Sequence, residues 1–100
     1  MNAFTAIKPA DDIRTFMPGI SEAEYELRAK LRAMRNCASA LVAKTESDTA
    51  RLLAWTCSEY VTAYIYAPVH TDTLDEVALF CTRLMVAAMH AEAIDVGGVP

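Results

Sequence analysis

Residues that break helices are scarce in this chain, and those present sit at its margins. It has only three glycines and four prolines. They fall at Gly19, Gly97, Gly98, Pro9, Pro18, Pro68 and Pro100. Two long stretches, Ser21 to Ala67 and Val69 to Val96, therefore run without a breaker, which favours helices over short strands joined by turns. A basic excess is missing as well. Nine Lys and Arg stand against 13 Asp and Glu, a formal charge of −4. The broad cationic field of a nucleic-acid binder is absent, so direct binding of nucleic acid is not expected. No CxxC, HxxxH, P-loop or GxGxxG spacing occurs, which leaves no recognised metal, cofactor or nucleotide motif. The three cysteines, Cys37, Cys57 and Cys81, are odd in number and far apart. They read as reduced thiols among apolar neighbours inside helices. No apolar run reaches the ~18–20 residues that span a bilayer. The opening MNAFTAIKPADD lacks the basic-then-apolar order of a secretory signal. A cytoplasmic protein without a membrane segment is the expectation.

What the chain does have is apolar surface. Hydrophobic residues make up 54% and charged residues 22%, which excludes a disordered chain. One hundred residues suit a single domain, 1–100, around one core.

Residues 1–20 read as an N-terminal docking segment. Phe4, Ile7, Ile13, Phe16 and Met17 are apolar enough to pack, with one short helix across Ala10–Phe16 that Met17-Pro18-Gly19 stops. A first long helix is predicted over 21–44. Ser21 and Glu24 form a capping-box pattern, and Leu27, Leu31, Met34, Ala38 and Leu41 recur at alternating spacings of four and three, a narrow seam. Thr45-Glu46-Ser47-Asp48 breaks it. A second helix is predicted over 48–67, ahead of Pro68, with its seam at Leu53, Cys57, Tyr60 or Val61, and Tyr64. The stretch YVTAYIY would also suit a strand, but helical spacing persists and no partner strand is evident. A third helix is predicted over 73–95, with Thr73 and Glu76 as a capping-box pair and Thr71 and Asp72 as competing caps. Short connections between long helices make neighbours antiparallel. The expected fold is all-α: an antiparallel three-helix bundle with a docked N-terminal segment.

The run VALFCTRLMVAAMHA, Val77 to Ala91, holds only Thr82, Arg83 and His90 as strongly polar residues. A helix apolar around most of its circumference needs cover on more than one side. Its core seam is Leu74, Cys81, Leu84 and Ala88, so leftover exposure is expected at Leu79, Val86 and Met89. Arg28, Arg32 and Arg35 recur at i, i+4 and i+7, about a quarter turn from the first seam. They read either as an exposed clamp for acidic groups or as a solvated flank in which Glu24 pairs with Arg28. Ala29, Ala33 and Ala40 leave a small-residue patch that permits close helix approach. Trp55 and Tyr66 share a face of the second helix and are residue types favoured at interfaces.

Catalysis has little support, since neither His70 nor His90 lies in a recognised nucleophile motif. A pocket around His90, Arg83 and the tyrosines would be needed for a ligand-binding reading.

Phe16, Pro18, Gly19, Leu53 and Trp55, in FMPGISEAEYELRAKLRAM and RLLAWTCSEYVTA, resemble the pattern of a family of short pseudomonad proteins of unknown function. That resemblance covers about half the chain and implies no activity. In overall plan the chain is also similar to small phage-encoded inhibitors of bacterial defence systems. Surplus apolar helix surface, the arginine row and the lack of a catalytic constellation point to a non-enzymatic protein that binds another macromolecule, a protein above all. The similarity of plan implies its sharpest form, an inhibitor of a bacterial defence complex such as a CRISPR surveillance complex. The partner-binding residues expected are Arg28, Arg32, Arg35, Trp55, Tyr66, Leu79, Val86 and Met89, with no catalytic, cofactor-binding or metal residue. The alternatives are a self-associating structural or regulatory protein, a homodimer through Val77–Ala91, and a small ligand-binding bundle.

Overall fold

A computed structural model describes residues 11–96. Every regular element within them is helical: α1 (Asp11–Phe16), α2 (Glu22–Lys44), α3 (Asp48–Thr62) and α4 (Thr71–Asp95). The last three pack against one another as an all-α bundle, and α1 rests on α2. The expected short helix before Met17 is present. Ile13 docks it, fully buried in the core, whereas Phe16 stays mostly exposed while its ring meets Tyr66 edge-on at 5.3 Å. Phe4 and Ile7, also expected to dock, lie outside the described residues. Gly19, at φ +88, makes the left-handed turn between α1 and α2 that a side chain would strain.

Ser21 caps α2 by accepting from the Glu24 backbone N–H at 3.1 Å. The reciprocal half of the capping box is not made, because the Glu24 carboxylate turns to Arg28 instead, 2.8 Å away. The predicted seam faces the core: Leu31, Ala38 and Leu41 are buried and Leu27 and Met34 pack against them. Ser47 caps α3 through the Ala50 N–H and also donates to the Asp95 carboxylate at 2.7 Å. One buried hydroxyl thereby ties the α2–α3 corner to the end of α4.

The second helix was expected to reach Ala67, but α3 ends at Thr62. Thr62, Tyr64, Ile65 and Tyr66 all lose side-chain freedom in a helix. Here the chain turns out of it, and Ile65 plugs the core fully buried. The N-terminal boundary of the last helix also differs. Neither Thr73, Thr71 nor Asp72 caps it. His70 does, its Nδ1 accepting from the Asp72 N–H at 3.1 Å. A neutral imidazole offers the same kind of acceptor as a serine hydroxyl.

Consecutive helices run antiparallel, so α2 and α4 run parallel to each other. Residues near their starts, Ala23 and Thr71, share one recess, and residues near their ends, Lys44 and Glu92, share another. α3 packs on one side of this pair. The other side is open.

Candidate functional site

The open side of the α2–α4 pair is a groove built from a second stripe on each helix. On α2, Lys30, Ala33, Cys37, Ala40 and Lys44 alternate by three and four residues; on α4, Asp75, Leu79, Thr82, Val86, Met89 and Ala93 alternate by four and three. Each stripe lies about a third of a turn from the seam that enters the core. Both helices are thus two-faced, and their second faces turn toward the same solvent-facing groove.

At mid-length the groove is a recess of about 360 Å³, walled by Lys30, Ala33 and Cys37 on α2 and by Thr82, Val86 and Met89 on α4. Met34 and Met85 form its half-buried floor. Thr82 donates its hydroxyl to the Ala78 carbonyl at 2.8 Å within its own helix, so a polar side chain in this wall is already satisfied. Leu79, Val86 and Met89 are 54, 52 and 60% exposed. They are the residues in which leftover exposure was expected, while Leu74, Cys81 and Ala88 of the other seam are buried. Large aliphatic side chains collected along one groove cost solvation in a free monomer and mark contact surfaces. Methionine suits such a floor because its flexible thioether adapts to what lies on it.

The arginine row is a different structure from the one expected. Arg28 and Arg32 are not exposed: both are buried. Arg28 donates to the Ile65 carbonyl at 2.9 Å and to the Tyr64 carbonyl at 3.3 Å, and pairs with Glu24. Arg32 donates to the Tyr66 hydroxyl. The early end of α3 explains the correction. Residues 63–70 swing across this flank of α2 and present carbonyls to it, and the guanidinium fork answers several at once. Arg35 alone stays half-exposed, donating to the Asn36 side chain at 3.2 Å. Tyr66 belongs to this same corner.

Trp55 stands elsewhere, on the outer face of α3 in a recess of about 290 Å³ with Val42, Arg51 and Leu52. The eight residues expected at a partner site therefore divide among three places. Arg28, Arg32 and Tyr66 meet at the buried corner, while Val86 and Met89 line the groove, with Leu79 on the same stripe of α4 beyond the recess.

No protein-family model, curated protein or solved structure matches this chain. The site must speak through its own chemistry.

That chemistry is not nucleophilic at the buried thiols. Cys57 and Cys81 are buried, and the Cys57 thiol donates to the Cys81 carbonyl at 3.7 Å. Burial pushes the Cys81 thiol up to about 12 and raises Cys57 in the same direction, so both stay protonated and inert at neutral pH. Cys37 departs from the core reading given to all three: it is exposed, in the groove wall. Among the described residues no cluster of three or more His, Cys, Asp and Glu side chains could hold a metal. His90 and Arg83 are exposed and line none of the recesses described above.

By length and composition α4 is apolar enough to cross a membrane, with mean hydropathy 1.5 over its most apolar window. The property that gives it that value is the same double seam, one half in the core and one half in the groove.

Lys30, Met34, Cys37, Lys44 and Met85 are site residues that were not expected from the sequence. The signal for them was present as a second three-four alternation beside the first, in both long helices.

Proposed function

We propose that this protein is non-enzymatic and acts by helix-to-helix contact with a protein partner, its own copy included, with the α2–α4 groove as its docking face. The observation that carries this reading is the apolar groove itself: two parallel helices present large aliphatic residues on one wall and small ones on the other, with Lys30 the one charged residue at the mid-length recess and the other charges toward the ends. An amphipathic helix laid in such a groove buries its apolar face by the same spacing rule that built the wall. We read α4 as a contact helix of a cytoplasmic protein, not a bilayer span, because Arg83 stands at its middle, where a charge costs about 2.5–3.5 kcal/mol at a bilayer centre.

Inhibition of a bacterial defence complex, such as a CRISPR surveillance complex, is the concrete form of this reading that the similarity of plan suggests. Its test is direct: add the purified protein to that complex and measure target-DNA binding, with a Val86→Glu, Met89→Glu double variant as control. The contact reading expects the wild-type chain to form a stoichiometric complex with a protein, itself or another, and the double variant to lose it while keeping its helical circular dichroism. A variant that associates as well as the wild type would remove the groove from the function.

A further inference from the structure

The groove is complementary to itself, in size and in charge. Its α2 wall is small, with Ala33, Cys37 and Ala40, and its α4 wall is large, with Val86 and Met89 and, on the same exposed stripe of α4, Leu79. At one end of the groove Lys30 of α2 and Asp75 of α4 line the same recess; at the other end Lys44 and Glu92 do. None of these four makes an ion pair with a described residue. Both cations thus lie on the α2 wall and both of these acids on the α4 wall. Glu26, one turn before Lys30 on α2, is the one acid on the small wall and lies beside Thr71, not at the level of Asp75.

We infer that a second copy of this chain fills the groove, in an isologous dimer that lays α2 of one copy on α4 of the other; this rests on the contact reading above and names its partner. A two-fold axis parallel to the helices achieves it, because rotation about that axis preserves helix direction. The small wall of each copy then receives the large wall of the other. Lys30 meets Asp75 of the partner subunit, and Lys44 meets Glu92 of the partner subunit. A two-fold axis perpendicular to the helices does neither. It stacks α2 on α2 in antiparallel order, small on small, and sets lysine against lysine. Both the shape and the charge thus select one arrangement.

The size of the face is adequate. A 23-residue helix is about 35 Å long, and two helices side by side are about 20 Å across. The face covers about 700 Å² per copy, close to the ~800 Å² per partner of a stable interface. The Trp55 recess lies on the side of α2 away from the groove, since Val42 in that recess faces the opposite way from Ala40 and Lys44. It stays open in the dimer for a different protein.

Light scattering after size exclusion, over a range up to several hundred micromolar protein, tests the inference. The wild type is expected at twice the mass of the 10.9 kDa chain. Lys44→Glu and Glu92→Lys are each expected to weaken association by at least about tenfold, since each reverses one charge at two symmetric places. An equimolar mixture of the two variants is expected to recover the dimer, because each chain then meets opposite charge on the other. That recovery cannot come from contacts within one chain. Val86→Arg provides the apolar counterpart, monomeric with unchanged circular dichroism. A wild type that remains monomeric throughout overturns the inference; the contact reading then stands or falls on foreign-protein binding by the wild type against the Val86→Glu, Met89→Glu variant. A dimer indifferent to both charge reversals, or a mixture that stays dissociated, overturns the α2-on-α4 arrangement.

Discussion

Replacing Arg28 by alanine should destabilise the protein by about 3 kcal/mol, although helical spacing puts this residue outside the hydrophobic seam. The side chain is fully buried and its ion-pair partner Glu24 is 22% exposed. Removing one member of a buried pair costs about 3–5 kcal/mol when the other is stranded. Glu24 keeps access to water, so that part of the penalty falls well below the range. The Ile65 carbonyl, by contrast, is bonded at 2.9 Å in a buried setting, and leaving it unsatisfied costs about 1–3 kcal/mol. Loss of the packed aliphatic stem adds roughly 1 kcal/mol. A domain of this size holds only about 5–15 kcal/mol in total, so the melting temperature should fall by about 15 °C. Urea unfolding followed by circular dichroism measures it, with Arg35→Ala as the control expected within about 0.5 kcal/mol of wild type. Arg28→Lys should recover only part of the loss, since an ammonium cannot serve Glu24 and two carbonyls in one plane. Equal midpoints for Arg28→Ala and Arg35→Ala would refute the assignment of Arg28 to the fold.

Thiol labelling should separate the cysteines: in the folded protein at neutral pH, diluted to the monomer, Cys37 reacts within minutes while Cys57 and Cys81 react only on denaturation, as mass spectrometry of the labelled peptides would show. Because the groove wall contains Cys37, a bulky maleimide there should also shift the protein to monomer. Stability should fall at alkaline pH. Burial raises the folded Cys81 thiol from an ordinary value of 9.0 to about 12, so the folded state holds this proton where the unfolded chain has released it. The contribution is complete below about pH 9 and is lost as pH rises toward 12, at up to about 1.4 kcal/mol per unit. Unfolding midpoints at pH 8 to 10.5 should show a shallower decline for Cys81→Ala; identical slopes would refute it. Ser47→Ala removes both a helix cap and the bond to Asp95 and should cost about 1–2 kcal/mol, read as a lower urea midpoint at unchanged m-value.

The helical class, the α2 seam, the Ser47 boundary and the exposed stripe of α4 were all legible along the chain. Each depends on periodicity or on a cap within a few residues. The early end of α3 was not, because aromatic and β-branched residues at 60–66 fit a helix and its end about equally well. That single boundary decided the fate of the arginines: Arg28 and Arg32 are buried because a segment more than 30 residues away in sequence crosses over them. Trp55 and Tyr66 came apart for the same reason, since one stays on α3 and the other leaves it.

The sequence by itself determined that this protein is helical and that α2 and α4 each carry more apolar surface than one core needs. Spacing along a helix is a local property, and it sets which side chains share a face. Only the tertiary structure decided which surplus faces meet. Placing α3 on one side of a parallel pair leaves the other side open, and it joins Ala33, Cys37 and Ala40 to Val86 and Met89 in one groove. It also turns the arginine row inward. Those outcomes depend on contacts between distant segments, and periodicity within a helix carries no information about which segment will cover it.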